Sequence, residues 1–115
     1  EIFEGSYGGR HGRNGMDAVD TLYANTRNNP IEDIETHVPL RVERYELRED
    51  ASAPGKWRGG FSMIKQVRFL SDGGVAVEGE GHAFPPWGFA GGESGRTAAF
   101  VIEGKDGRRI DMPSK

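Results

Sequence analysis

The spacing of apolar residues along the 115-residue chain changes near residue 38. Before that point the spacing is helical, and it predicts a first short helix over residues 16–24. A second short helix is predicted to begin at Asn29, which can cap it, with Pro30 in the first helical position. The extended pattern that follows ends this helix by about Thr36. The apolar positions that predict the first helix are Met16, Val19, Leu22 and Tyr23.

Beyond residue 38 apolar and polar residues alternate, which predicts β-strands. In the first strand the apolar face switches between Val42 and Tyr45. A switch of this kind indicates a β-bulge or a strand that passes between two layers. A second strand is predicted over residues 61–69, and a turn at Asp72-Gly73 predicts a return strand through residues 75–77.

A last pair of strands is predicted towards the end of the chain. Residues 97–103 are apolar on both faces, which is typical of a buried central strand. A turn at residues 105–108 then leads back through a strand that contains Ile110 and Met112.

These elements predict the α+β fold class. A glycine-rich loop and short helices occupy residues 5–36, with the helical lead over about residues 16–36. A mainly antiparallel β unit follows over residues 38–115. Both ends of the sequence fall in mid-pattern, so we expect residues 1–115 to form a single segment of a larger domain.

Composition excludes several classes of protein. The absence of cysteine excludes disulfides, zinc knuckles and thiol nucleophiles. The net charge of −3 argues against a nucleic-acid partner held through its phosphates. No apolar run approaches the roughly 18 residues of a membrane span, and no signal-peptide pattern is present. We therefore expect a cytoplasmic protein with neither a nucleic-acid nor a membrane partner.

The densest polar cluster lies in the glycine-rich loop and just after it. His11 and Asp17 could act as a general base and its orienting partner, although solvated loop charges are the simpler interpretation. The loop lacks the Walker pattern, so its glycines could bind an anion, line an active site or only allow backbone segments to approach closely. The three histidines lack metal-binding spacing, and no metal site is predicted within the chain.

The order of short motifs along the chain is more specific than any one of them. These motifs are Arg-Asn-Gly-Met-Asp-Ala-Val at 13–19, Asn-Thr-Arg-Asn-Asn-Pro-Ile-Glu at 25–32, Pro-Leu-Arg-Val-Glu-Arg-Tyr-Glu-Leu-Arg at 39–48, Gly-Lys-Trp-Arg-Gly-Gly at 55–60 and Pro-Trp-Gly-Phe-Ala-Gly-Gly-Glu-Ser-Gly at 86–95. Taken together, they resemble the C-terminal part of the hydantoinase B/oxoprolinase family over about residues 5–115.

The resemblance implies a segment of an enzyme that opens a cyclic amide, such as a hydantoin or 5-oxoproline. ATP with Mg would be bound by a hydantoinase A-type partner, and any divalent metal by the remainder of the hydantoinase B chain, because family metal ligands lie outside this segment. Arg10 is the candidate to bind a carboxylate or a phosphorylated intermediate. Asn25 and Thr26 are candidate hydrogen-bond donors to the substrate, and His11 and Asp17 are the catalytic candidates.

Two other functions stay open. Acetone and acetophenone carboxylases resemble the same family and phosphorylate an enolate and bicarbonate instead. In many amide-hydrolysing members of the family that the chain resembles, the residues before the Pro-Trp-Gly motif are similar to Glu-Arg-Arg, whereas this chain has Glu80-Gly81-His82. This difference leaves the choice between a cyclic amide and a ketone as substrate open. The other function is a non-catalytic assembly module whose β unit docks on the partner subunit, and it predicts a broad exposed apolar face.

Overall fold

A computed structural model of the chain describes residues 3, 5–20 and 23–112. These residues include one helix, one 3₁₀ turn and four strands. In chain order these are α1 (Ile31–His37), β1 (Leu40–Arg48), a 3₁₀ turn (Glu49–Ala51), β2 (Ser62–Phe69), β3 (Phe100–Glu103) and β4 (Arg109–Met112).

Helix α1 confirms the second predicted helix. The helix starts where the carbonyl of Pro30 accepts hydrogen bonds from the backbone N–H groups of Asp33 and Ile34, at 3.1 and 3.2 Å. Pro30 itself is the N-cap, with an extended ψ of 144°, and no side chain caps the helix. The predicted cap by Asn29 is therefore wrong, because Asn29 lies one residue too early. The helix packs on β1 and buries Ile34, which is 8% exposed.

The first predicted helix, over residues 16–24, is wrong where the structure describes it. Residues 16–20 and 23–24 are not helical, and residues 21 and 22 lie outside the described residues. The backbone groups that a helix would need are bonded to other segments. The carbonyl of Met16 accepts from the N–H of Tyr7 at 3.1 Å, and the N–H of Ala18 donates to the carbonyl of Phe61 at 2.7 Å. Long-range backbone pairing thus overrides the local periodicity.

Strands β1 and β2 form an antiparallel pair, and the predicted bulge is confirmed. Val42 lies opposite Val67, but Arg44 lies opposite Gln66, so Glu43 is the extra residue. After the bulge, Tyr45 lies opposite Lys65. The bulge therefore keeps the apolar residues on both sides of the switch on one face of the sheet. That face carries Leu40, Val42, Tyr45 and Leu47 from β1 and Met63, Val67 and Phe69 from β2.

The predicted return strand at residues 75–77 is wrong. These residues have no strand pairing within the described part of the chain, and Val75 is 49% exposed. The backbone N–H of Leu70 still bonds to the carbonyl of Pro39 at 2.9 Å, so pairing with β1 continues past the end of β2. Gly73 and Gly74 precede this short apolar run, and glycine weakens a strand because it has no side chain to pack.

Strands β3 and β4 confirm the last predicted pair. They form an antiparallel hairpin in which Phe100 lies opposite Met112 and Glu103 lies opposite Arg109. The predicted buried central position of this first strand is wrong, because β3 pairs only with β4 among the described residues and its side chains are at most half-buried. The α+β fold class and the antiparallel arrangement of the strands are confirmed.

A large surface remains exposed for a chain of this length. The accessible surface is 9212 Å², whereas a folded monomer of this mass exposes about 6,200 Å². Ile34 is the only large apolar side chain buried in the part that the structure describes. Such a surface is typical of a segment that packs against further protein. The most exposed aromatic side chains are Tyr23, Phe84, Trp87 and Phe89, between 78% and 100%.

In the ranges that the structure describes, no helix has the length and apolar character needed to cross a bilayer.

Candidate functional site

Three backbone segments meet beside the start of β2, and we call this contact the glycine junction (residues 7–9, 15–18 and 57–61). The N–H of Gly15 donates to the carbonyl of Arg58 at 2.8 Å, and the N–H of Gly60 donates to the carbonyl of Tyr7 at 2.9 Å. Both glycines are buried. The junction ties the glycine-rich loop to β2 through main-chain hydrogen bonds.

The junction requires residues without a side chain. A Cβ atom added at Gly15 would lie 1.8 Å from the carbonyl oxygen of Tyr7, and one at Gly60 would lie 2.0 Å from that of Met16. A Cβ at Gly9 would lie 2.0 Å from the carbonyl oxygen of Trp57. Of the functions considered for the glycine-rich loop, close approach of backbone segments is therefore the one that its geometry supports.

Asp17 fixes the junction electrostatically. Its Oδ1 accepts from Nη1 of Arg58 at 3.0 Å and from the N–H of Phe61 at 2.7 Å. The Arg58 hydrogen bond and then the Phe61 hydrogen bond hold the pKa of Asp17 below its ordinary value. The guanidinium of Arg58 also donates to the carbonyl of Gly59 and lies 4.0 Å from the ring centroid of Phe61. Asp17 is thus an ionised anchor in this structure.

His11 lies away from Asp17, at the tip of a tight turn. Arg10 and Arg13 exchange both backbone hydrogen bonds, at 3.0 and 2.9 Å, and Gly12 takes the positive φ of 80° that the turn requires. The imidazole lies against the indole of Trp57, with 4.8 Å between ring centroids. No hydrogen bond joins His11 to Asp17 in the described chain, so the predicted base and orienting partner are not paired here.

The structure brings the three predicted substrate residues together. Arg10, Asn25 and Thr26 line one open depression of about 650 Å³ between the glycine-rich loop, the segment before α1 and β1. We call it the loop groove. His11 and Asp17 do not line it, and neither do Glu80, Gly81 and His82. Its other polar and aromatic walls include Tyr7, Asp20, Arg27, Asn28, Asn29 and Tyr45.

Hydrogen bonds across the loop groove shape its floor. Oδ2 of Asp20 accepts from the backbone N–H of Thr26 at 2.8 Å and from the Thr26 hydroxyl. The hydroxyl of Tyr7 donates to the carbonyl of Asp20 at 2.9 Å. The donor of Thr26 is therefore engaged inside the protein, and only its acceptor lone pairs remain for a ligand.

Asn25, unlike Thr26, has a side chain without a hydrogen-bond partner among the described residues. Its backbone φ of 45° lies in the left-handed region, which asparagine tolerates better than most residues. Its side-chain amide forms no hydrogen bond with any residue that the structure describes. Both the donor and the acceptor of the amide can therefore face a ligand in the loop groove.

Sequence reasoning missed Arg27, Tyr7 and Tyr45 as groove residues. Arg27 directly follows the two predicted substrate residues, and its position in the 25–32 motif was the available signal. Tyr45 was assigned only to the apolar face of β1, yet its hydroxyl accepts from Nδ2 of Asn28 at 3.3 Å at the edge of the groove. Tyr7 carried no signal, because its contact with Asp20 spans 13 residues.

The described ranges bring no three histidine, aspartate or glutamate side chains close enough to hold a metal ion.

Comparisons with known proteins concern the whole chain. The profile of the hydantoinase B/oxoprolinase family matches residues 1–115. A protein of Pseudomonas sp. (strain NS671), provisionally named as the B-type subunit of a D-/L-hydantoinase, is 60% identical over 116 residues, and the chain covers 20% of its length. The chain is also similar to two proteins named as 5-oxoprolinases. That of Dictyostelium discoideum is 28% identical over 115 residues, and 5-oxoprolinase 1 of Arabidopsis thaliana is 30% identical over 102.

These relatives are much longer than the chain. It spans about a fifth of the Pseudomonas protein and 9% and 8% of the two 5-oxoprolinases, while 100%, 100% and 89% of the chain itself is matched. No solved structure matches the chain.

Proposed function

The chain belongs to the hydantoinase B/oxoprolinase family, and from that premise we propose that it is a segment of an ATP-dependent hydrolase that opens a cyclic amide of the hydantoin or 5-oxoproline type. The observation that carries the proposal is the family match over all 115 residues. The names of the relatives, a hydantoinase component and 5-oxoprolinases, support the same reaction class.

The loop groove is the place where this segment would meet substrate. Asn25 offers an amide that can pair with the N–H and C=O of a ring amide. Arg10 offers a guanidinium that suits a carboxylate. Hydrolysis of a ring amide adds water across the C–N bond and leaves a carboxylate, so a cation in the groove would stabilise the charge that appears on opening.

ATP and Mg belong, in this proposal, to a hydantoinase A-type partner. The chain has no Walker pattern, and its glycine-rich loop is occupied by backbone contacts at the glycine junction. When bound, ATP supplies phosphorylation of the amide oxygen, which activates the ring carbon towards water. Any divalent metal would be held by the remainder of the hydantoinase B chain. We further propose that the complex is cytoplasmic.

The exposed apolar surface fits an assembled enzyme. A surface about 3,000 Å² larger than that of a folded monomer of this mass would be covered by the rest of the polypeptide and by the partner subunit. An assembly role therefore accompanies the catalytic proposal and does not compete with it.

The test uses the full-length chain purified together with its hydantoinase A-type partner. We expect ADP to form in proportion to ring-opened product when hydantoin or 5-oxoproline is supplied with ATP. ATP consumption that instead requires a ketone and bicarbonate would assign the complex to the ketone carboxylases and overturn the proposal.

Replacement of Asn25 separates its backbone role from a binding role. In the full-length enzyme we expect Asn25→Gly to retain the melting temperature, because glycine adopts the left-handed φ at no steric cost. Asn25→Ala should lower the free energy of unfolding by about 1 kcal/mol, because a left-handed φ is sterically costly for alanine. Turnover of the cyclic amide should fall in both variants. Full turnover by Asn25→Gly would show that the amide does not contact substrate.

A further inference from the structure

Two arginines of the loop groove lack an anionic partner among the described residues. There, neither Arg10 nor Arg27 forms an ion pair or a side-chain hydrogen bond, and both line the groove. Three arginines outside the groove, Arg13, Arg41 and Arg108, also form no side-chain hydrogen bond or ion pair with the described residues, whereas the guanidinium groups of the other six reach a carboxylate or a carbonyl. The partnered ones are Arg44, Arg48, Arg58, Arg68, Arg96 and Arg109.

The loop groove also contains one carboxylate of the protein itself. Asp20 is the only acidic residue among the groove residues that the structure describes, and its Oδ2 is occupied by two donors of Thr26. Neither guanidinium forms a hydrogen bond or an ion pair with it. Two positive charges and one negative charge therefore line one depression in a chain whose net charge is −3. An added anion there would meet two donors of planar, bidentate geometry.

The rest of the wall suits a small polar ligand. Asn25 contributes its amide, and the hydroxyl of Tyr45 accepts from Asn28 and so keeps its own proton available to donate. The groove, of about 650 Å³, is open to solvent and has room for a small molecule. Cationic donors beside an available amide match a molecule that carries a carboxylate and an amide together.

We propose that Arg10 and Arg27 together bind the carboxylate of a small amide-bearing acid in the loop groove. The inference rests on the proposed function, because ring opening of a hydantoin produces an N-carbamoyl amino acid, in which a carboxylate and an amide lie in one molecule. Arg27 is the new member of the site, and it adds a second cation to bind the carboxylate that ring opening produces.

The experiment measures binding to the full-length protein by calorimetry, with N-carbamoylglycine as the anionic probe and N-carbamoylglycinamide as its neutral match. Charge-assisted hydrogen bonds are strong enough that Arg10→Ala and Arg27→Ala should each weaken binding of the anionic probe about 10-fold or more. Both variants should bind the neutral probe as the native protein does. The control is Arg108→Ala, which removes an exposed arginine from the β3–β4 turn and should change neither affinity.

Several outcomes overturn the proposal. Equal binding of the two probes by the native protein would show that the carboxylate is not recognised. Unchanged affinity of Arg27→Ala for the anionic probe would show that Arg27 does not contact it. Inorganic phosphate is the third probe, and tighter binding of phosphate than of N-carbamoylglycine would assign the pair to a phosphorylated species instead. Failure of the proposed function is a separate result, because turnover and binding are measured independently. In that case the enzyme would not turn over a cyclic amide, but the anionic probe would still bind through Arg10 and Arg27.

Discussion

Alanine at Gly15 is expected to prevent the full-length protein from folding into a soluble form. The new methyl group would lie 1.8 Å from the carbonyl oxygen of Tyr7, which belongs to the backbone and cannot rotate away. Relief of the clash must separate the segments of the glycine junction and break the hydrogen bonds from Gly15 to Arg58 and from Gly60 to Tyr7. A loss of more than about 4 kcal/mol follows, a large part of the stability of an ordinary domain.

The matched control lies in the same loop. An added Cβ at Gly8 meets no atom within 4 Å, and its φ is not in the left-handed region, so Gly8→Ala should fold normally. Soluble yield and melting temperature of the two variants are the measurements. If Gly15→Ala and Gly8→Ala melt within about a degree of each other, the junction does not have the close approach described here. Gly60→Ala provides an independent repeat, since its Cβ would lie 2.0 Å from the carbonyl oxygen of Met16.

Removal of the Asp17 carboxylate is expected to give the second largest loss of stability. Asp17→Ala leaves the partly buried N–H of Phe61 without its acceptor and removes the carboxylate partner of Arg58, which keeps only its hydrogen bond to the carbonyl of Gly59. Asp17→Asn keeps an oxygen that can accept from Phe61 but loses the charge facing Arg58. We therefore expect melting temperatures to fall in the order native, Asp17→Asn, Asp17→Ala.

A surface ion pair supplies the comparison for Asp17. Asp111 and Arg109 lie 3.7 Å apart with highly exposed side chains, so Asp111→Ala should leave the melting temperature almost unchanged. If Asp111→Ala lowered the melting temperature as much as Asp17→Ala, the contacts of Asp17 would contribute no more to stability than an exposed ion pair.

The pH dependence of the Asp17 variants has a defined sign. The Arg58 hydrogen bond lowers the pKa of Asp17 below its ordinary value of 3.8, so the ionised form stabilises the folded state. This contribution is complete above the ordinary value and is lost as the pH falls through the lower folded-state pKa. The difference in melting temperature between the native protein and Asp17→Asn should thus be constant above about pH 5 and should narrow below about pH 4.

Local sequence signals predicted those parts of the fold that depend on near neighbours. The apolar switch between Val42 and Tyr45 predicted the bulge, and the turn at residues 105–108 predicted the β3–β4 hairpin. The helix over residues 16–24 failed because its periodicity carries no information about residues 57–61, whose backbone takes the hydrogen bonds of Ala18 and Gly15.

The candidate site likewise contains residues that the sequence predicted and contacts that it did not. Arg10 was predicted from the polar cluster of the glycine-rich loop, and Asn25 and Thr26 lie in a motif of the family resemblance. The structure places all three on one groove, and their roles in binding are still predictions. The partnership of Asp17 with Arg58 spans 41 residues and could not be inferred from spacing, so Asp17 was paired with the nearer His11 instead. Tertiary contact, which composition and periodicity do not encode, decides these assignments.

The bulge at Glu43 makes chain length at this point more important than residue identity. Glu43 is the extra residue that returns Tyr45 to the face shared with Val42 and leaves it beside the loop groove. Substitution of Glu43 would alter only an exposed contact with Arg68. Deletion of one residue would instead reverse the phase of the strand, turning Tyr45 and Leu47 to the opposite side. Insertions and deletions should therefore be tolerated less well at residue 43 than any exchange of side chain.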